Sequence, residues 1–297
     1  MQQAAGIHSC WISGDGREGA LGDASLLFPY WSFTKTVIAI CALKLFEIGG
    51  IDLDSRIPGE SYTLRQLLNH TSGLPDYGVL KEYQHAVRAG EEPWSRERLL
   101  SAALAQGLLF PPGRGWSYSN IGYMLAREHI EAASGRSFAC LFEEMIRDPL
   151  GLKSVELATT RRQFSRLCWR AADRYHPGWV YHGCLVGSAR DAALLLHALF
   201  SGEVLNAATL GQMLLRYPLG GAVSGRPWTD CGYGLGLMSG SMGEAGRAIG
   251  HSGGGAFCVN AVYYFPDRDC PVTVASFTDG SDEGITEFEA ARLALTE

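Results

Sequence analysis

Phe28-Pro29-Tyr30-Trp31-Ser32-Phe33-Thr34-Lys35, continued by the apolar run Thr36 to Ile48 and closed by Gly49-Gly50, is the stretch that decides the fold. Residues from Ser32 to about Ile48 read as a helix that the two glycines stop. Between Thr36 and Ile48 only Lys44 and Glu47 carry charge, so the helix is apolar on nearly every side and belongs inside the protein. That places Ser32 and Lys35 at the mouth of a central, shielded helix. Residues three apart on a helix share a face, so the hydroxyl and the amine come within hydrogen-bonding reach. The first turn also offers unpaired N–H groups and the positive dipole end to a developing oxyanion. Burial is expected to lower the lysine below its ordinary ~10.4 and so make it a base. Alone, S-x-x-K is a weak signal, because a capping serine followed by a surface lysine has the same spelling.

Upstream of this helix, residues 7–13 and 17–22 flank Gly14-Asp15-Gly16, a hairpin signal. Downstream, residues 51–190 read as helix and loop. Helices are expected from Thr63, over 95–106 and 120–134, over 137–147 with Pro149 as the stop, and from Ser188-Ala189-Arg190-Asp191 through Phe200. Pro111-Pro112-Gly113 forms a stiff turn. From Tyr233 the texture changes to short alternating segments, 233–238, 246–251, 257–265 and 271–278, followed by an amphipathic helix near 285–295. Strands at both ends around a helical middle predict a mixed α/β (α+β) fold: an antiparallel sheet flanked by helices, with an inserted helical domain. On this reading residues 1–55 and 192–297 form the sheet domain, residues 56–191 the helical one, and the active site lies between them.

Composition narrows the function. The chain has 297 residues, of which 46% are hydrophobic and 19% charged, as in an ordinary globular protein. Its net charge is −6 and it has no basic cluster, which argues against a nucleic-acid partner. The longest apolar run, Val37 to Leu43, falls far short of the ~20 residues that span a bilayer. Met1 to Gly6 has neither the basic nor the apolar region of a leader, so the chain as given reads as unexported and cytoplasmic. The 8 cysteines are scattered without a C-x-x-C pair and read as free thiols. The 8 histidines lack metal-binding spacing, and His176 and His182 fall in a loop-like stretch, so no metal or other cofactor is expected.

Two further segments can carry chemistry. In Tyr118-Ser119-Asn120 a phenol can shuttle a proton and an amide can hold a substrate carbonyl, although Ser119 or Asn120 could simply cap the next helix. In His251-Ser252-Gly253-Gly254-Gly255, glycines on a strand let another backbone or a substrate approach closely and lend an N–H to an oxyanion hole. The alternative there is a glycine-rich hairpin with a solvated histidine. No phosphate-loop pattern is present, and a nucleotide site is rejected.

In order, S-x-x-K, Y-x-N and a late basic residue-Ser-Gly make the signature of penicillin-recognising serine hydrolases. The sequence resembles the serine β-lactamase superfamily, in the branch of class C β-lactamases, D,D-peptidases, D-aminopeptidases and related esterases. Four more segments agree in order: Leu67 to Tyr77, Pro112 to Tyr123, Gly183 to Asp191 and Tyr233 to Leu237. The resemblance spans about residues 24 to 280. It implies a β-lactamase/transpeptidase-like fold and a serine hydrolase acting on a small ester, amide or peptide, including one with a D-configured residue.

By matching position the resemblance makes Ser32 the acylated nucleophile and Lys35 its activator. Tyr118 passes the proton to the leaving group, and Asn120 positions the substrate amide. His251, Ser252, Gly253 and Gly254 form the substrate-binding strand. The backbone N–H groups of Ser32 and Gly254 make the oxyanion hole, and His251 gives a polar or positive contact to a substrate carboxylate or to Tyr118. The chain departs from the family in reading His-Ser-Gly where Lys-Thr-Gly is usual, which weakens the case for β-lactam hydrolysis. The family's usual N-terminal helix is also not expected, since little sequence precedes Ser32. Two other readings stand beside hydrolysis: a ligand- or penicillin-binding protein without catalysis, and an acyltransferase resolving the same acyl-enzyme with an alcohol or amine. Trp31, Tyr77, Trp116, Trp179 and Trp228 are candidates to line an acyl pocket, or are core.

Overall fold

In the computed structural model, which describes residues 6–23 and 25–297, strands from both ends of the chain meet in one antiparallel sheet. Met1 to Ala5, part of the stretch read for a leader, and Ala24 lie outside the described residues. The N-terminal hairpin is β1 (His8–Ser13) and β2 (Glu18–Leu21), turned at Gly14-Asp15-Gly16 as the Asp-Gly step predicts. A short β3 (Leu27–Pro29) leads into α1 (Phe33–Glu47). The helical middle holds α2 (Leu64–Leu68), α3 (Lys81–Ala89), α4 (Arg96–Ala103), α5 (Asn120–Ser134), α6 (Phe138–Phe142) and the single turn α7 (Asp148–Leu150). After β4 (Glu156–Ala158), α8 (Arg161–Phe164) and β5 (Cys184–Ser188) come α9 (Ala189–Phe200) and α10 (Ala207–Leu214). The chain then runs through β6 (Tyr217–Gly220), β7 (Asp230–Tyr233), β8 (Met238–Ser241), β9 (Arg247–Gly254), β10 (Cys258–Phe265) and β11 (Val272–Asp279), and finishes in α11 (Glu283–Thr296).

The large sheet has the order β2-β1-β11-β10-β9-β8-β7-β6, and β3-β5-β4 form a small second sheet. Alternation along the central strands builds two cores, one on each face. Ala261, Tyr263 and Phe265 of β10 pack with Ala290, Leu293 and Ala294 of α11 on one face. Cys258 and Val262 turn to the other, where α9 and α1 lie. Helix α1 is buried at every residue from Phe33 to Leu43, as its apolar sequence requires. Among the described residues, no helix is long and apolar enough to cross a membrane.

Several elements differ from the sequence expectation. Residues 234–237 are not a strand but the turn joining β7 to β8; Tyr-Gly-Leu-Gly-Leu alternates, yet Gly236 has φ +74° and its carbonyl accepts a hydrogen bond from Thr36 Oγ1 at 2.7 Å. Pro149 does not stop its helix. It sits near the start of the final turn, where its missing N–H is no loss, and Gly151 with φ +64° ends the run instead. Strand β9 continues beyond its expected end at His251 as far as Gly254, so the His-Ser-Gly-Gly segment lies in the sheet. Helices α3 and α10 and the small sheet are not among the sequence expectations.

Candidate active site

Ser32 occupies the N-cap position of α1, and no side-chain hydrogen bond caps the helix there. Its Oγ therefore stays free for chemistry instead of closing the helix end. The preceding Trp31 has φ +42°, a left-handed conformation that turns the chain sharply into the helix. Tertiary contacts hold it: the indole stands edge-on to Phe164, Tyr175 and Phe257, and its Nε1 donates to Cys258 Sγ at 3.1 Å.

One turn on, Lys35 is fully buried and its Nζ lies 3.0 Å from Ser32 Oγ. Its second polar neighbour is His182 Nε2 at 3.2 Å, and its ammonium also faces the Tyr118 ring at 5.0 Å. Burial lowers Lys35 to about 7, partly opposed by the carboxylate of Asp76. Near neutral pH a large share of this lysine is thus an uncharged amine. Tyr118 donates its phenol proton to Ser32 Oγ at 2.8 Å, and burial pushes the phenol well above its ordinary value, so it stays protonated. Ser32, Lys35 and Tyr118, drawn from two distant segments, are brought together.

Asn120 begins α5, while Ser119 is the residue that caps it, accepting from the Gly122 N–H at 3.0 Å. The Asn120 backbone N–H and its Nδ2 both donate to Asp76, at 2.9 and 3.3 Å. Asn120 lines the cleft, with its amide nitrogen the end that Asp76 holds. Opposite it runs β9. Gly253 is where the strand passes closest to the nucleophile: a Cβ there would stand 2.9 Å from the Ser32 backbone nitrogen. Gly254 lines the cleft beside Ser32.

Two β9 residues behave otherwise than expected. His251 is 2% exposed, its Nδ1–H donates to the Ser252 carbonyl, and its Nε2 meets the Tyr233 hydroxyl at 2.8 Å. Burial beside Lys35 lowers it to about 3. Of the polar or positive contact expected of His251, the structure supports a polar one: the ring is neutral and both nitrogens are engaged. Ser252 directs its hydroxyl to Glu287 and to Tyr263 (2.7 Å), so its side chain is held by the sheet.

The cleft has two lobes that share Ser32, Asn120 and Gly254. One, of about 470 Å³, has an aromatic wall that includes Trp31, Tyr77 and Trp179, with His182 at its base. The other, of about 430 Å³, takes in Trp116, Tyr118, Tyr233, His251, Arg226 and Glu283. Four of the five candidate aromatics thus line the cleft; Trp228 is instead core, donating its Nε1–H to Glu287 at 3.0 Å. Among the described residues, no group of three or more His, Cys, Asp or Glu side chains is placed to hold a metal ion.

Sequence reasoning missed four residues of the site: His70, Asp76, His182 and Glu283. His70, with φ +62°, accepts the Ser119 N–H on its Nδ1 at 3.1 Å and lies against the Tyr118 ring at 4.4 Å between centroids. None of the four carried a local signal of its role, since each acts on a residue far away in sequence.

The sequence model of the family described as Beta-lactamase matches residues 10–296. Penicillin-binding protein 4* of Bacillus subtilis is 32% identical over 167 residues, 52% of this chain and 35% of that protein. A D-aminopeptidase of Cereibacter sphaeroides is 37% identical over 147 residues, 43% of this chain and 28% of that protein. The matched stretches thus span about a third of those relatives' own lengths. Among solved structures, a D-stereospecific amidohydrolase from a Streptomyces species superposes with a TM-score of 0.81 at 26% identity, covering 98% of this chain and 93% of that one.

Proposed function

Because the chain belongs to the beta-lactamase family, we propose that it is a serine hydrolase that forms an acyl-enzyme on Ser32 and cleaves an ester, an amide or a peptide containing a D-amino acid. The observation that carries this reading is the position of Ser32 Oγ, 3.0 Å from a buried amine and 2.8 Å from a phenol that stays protonated. Neutral Lys35 takes the Ser32 proton as Oγ bonds to the substrate carbonyl carbon. The oxygen that becomes negative lies between the backbone N–H groups of Ser32 and Gly254. As the carbonyl re-forms, the bond to the leaving atom breaks and Tyr118 gives that atom its proton, while Lys35 returns the first proton to Tyr118. Water then attacks the ester by the same route in reverse. Asn120, held by Asp76, offers its carbonyl oxygen to an N–H of the acyl group.

The names of the similar proteins, a D-aminopeptidase and a D-stereospecific amidohydrolase, support amides of D-amino acids as substrates. The aromatic lobe favours a large apolar side chain on the acyl part. The direct test compares p-nitrophenyl butyrate hydrolysis by wild type and Ser32→Ala. Turnover by the wild type is expected to fall at least about a thousandfold in the variant. Equal turnover by both proteins would remove Ser32 as nucleophile. Inactivity of both would favour the non-catalytic binding reading.

A further inference from the structure

The lobe that contains Tyr118 receives the leaving group, because the phenol that protonates the departing atom lines this lobe and not the aromatic one. This assignment rests on the hydrolase reading above. Apart from tyrosines and Cys231, the titratable side chains lining the lobe are His251, Arg226 and Glu283. His251 is buried and held well below its ordinary value, so it is uncharged; its Nε2 meets Tyr233 and its Nδ1 meets the Ser252 carbonyl. Arg226 already faces two carboxylates. Its Nε and Nη2 form a two-pronged pair with Glu287, the former at 2.6 Å, and its Nη1 meets Glu283 at 3.0 Å.

Glu287 is itself completely buried and further fixed by Trp228, Ser252 and Tyr263, so its hold on Arg226 is built into the sheet and α11. A guanidinium bound by two carboxylates leaves the group of three with one negative charge. The least buried member is Glu283, whose carboxylate borders the lobe and would stand 2.9 Å from a Cβ on Gly254.

We infer that Glu283, with Arg226 locked to Glu287 behind it, is a specificity determinant that selects against leaving groups bearing a carboxylate and accepts neutral or cationic ones. A C-terminal amino acid leaves with a carboxylate and finds no free cation here; ammonia, an alcohol, a simple amine or the amine of a chain continued as an amide does not need one. A carboxylate within a few ångströms of another in a partly desolvated site is repelled strongly enough to be read as a rate difference.

Three esters with a neutral, an anionic and a cationic departing phenol test this: phenyl butyrate, 3-carboxyphenyl butyrate and 3-(trimethylammonio)phenyl butyrate. Each kcat/KM is divided by that ester's rate of alkaline hydrolysis without enzyme, which removes intrinsic reactivity. In all three, Ser32 Oγ bonds to the butyryl carbon, the bond from that carbon to the aryloxy oxygen breaks, and that oxygen departs as the phenol with the proton from Tyr118. The corrected value for 3-carboxyphenyl butyrate is expected to be at least about tenfold below that for phenyl butyrate, with the cationic ester equal to or above the neutral one. Glu283→Gln, checked for folding by its melting curve, should narrow the gap about threefold or more, relative to phenyl butyrate within the same variant. Equal corrected values for the anionic and neutral esters in the wild type would overturn the inference while leaving the hydrolase reading intact. A preference for the anionic ester would do the same and would show Arg226 available to substrate. Absence of any Ser32-dependent hydrolysis of phenyl butyrate would overturn the hydrolase reading and this inference with it.

Discussion

The amine of Lys35 has two polar neighbours, Ser32 and His182, and the second gives the first its direction. With burial keeping His182 well below its ordinary value, the ring is neutral and its Nε2 shares a hydrogen bond with the Lys35 amine. His182→Ala removes that partner and admits water. The expected result is a roughly tenfold fall in kcat and an acid limb displaced to higher pH, because a hydrated lysine regains part of its ordinary basicity. His182→Gln, which returns an acceptor oxygen, should restore part of both. An unchanged pH profile in His182→Ala would reduce the residue to packing. For the wild type the sign is fixed by Lys35 itself: lowered to about 7, it is protonated and unable to take the Ser32 proton below that value. Activity should therefore fall about tenfold per pH unit on the acid side of ~7, read as kcat/KM across pH ~5 to ~9.

Two elements meet at the nucleophile, α1 and β9, and their closeness depends on glycine. A Cβ on Gly253 would stand 2.9 Å from both Ser32 N and Trp31 Cβ, whereas one on Gly250 would stand 1.9 Å from the Val262 carbonyl oxygen. Gly253→Ala is expected to push the strand off the helix mouth and lower esterase activity at least about tenfold with a modest change in melting temperature. Gly250→Ala, further from the oxyanion position but driven against the backbone of its neighbouring strand, is expected to destabilise by roughly 2–4 kcal/mol in urea melts. The opposite ranking would mean that β9 is anchored at the cleft and not at β10. Helix α1 was legible because its signal, an unbroken apolar run, is local; β9 was legible only as far as His251, since the glycines beyond it carry no strand pattern of their own. Tyr233 to Leu237 misled because alternation alone does not separate a strand from a turn packed under a helix. His182, Asp76 and Glu283 were illegible for a different reason, since each derives its role from a partner far along the chain, Lys35, Asn120 or Arg226.

Across the whole molecule, three imidazoles, His70, His182 and His251, are buried at 1–2% exposure and held below their ordinary value. The unfolded chain binds protons on these rings from ~6.5 downward while the folded one does not, so their contribution is complete above ~6.5 and is lost as the pH falls. His251 alone, at about 3 when folded, removes about 2 kcal/mol between pH ~6.5 and ~5. Asp76 and Glu283, raised by burial, act in the opposite sense but are fewer. Melting temperature followed by circular dichroism should therefore drop steadily from pH ~7 to pH ~5; a flat or rising curve would show that these rings take up protons without unfolding. The far border of the large sheet has a different consequence. Its last strand, β6, is exposed at all four residues, yet Pro218 lies within it and the register shifts between Pro218 and Gly220. A stray chain seeking to extend the ladder meets a missing donor and a kink, so the molecule ends its own growth at that border.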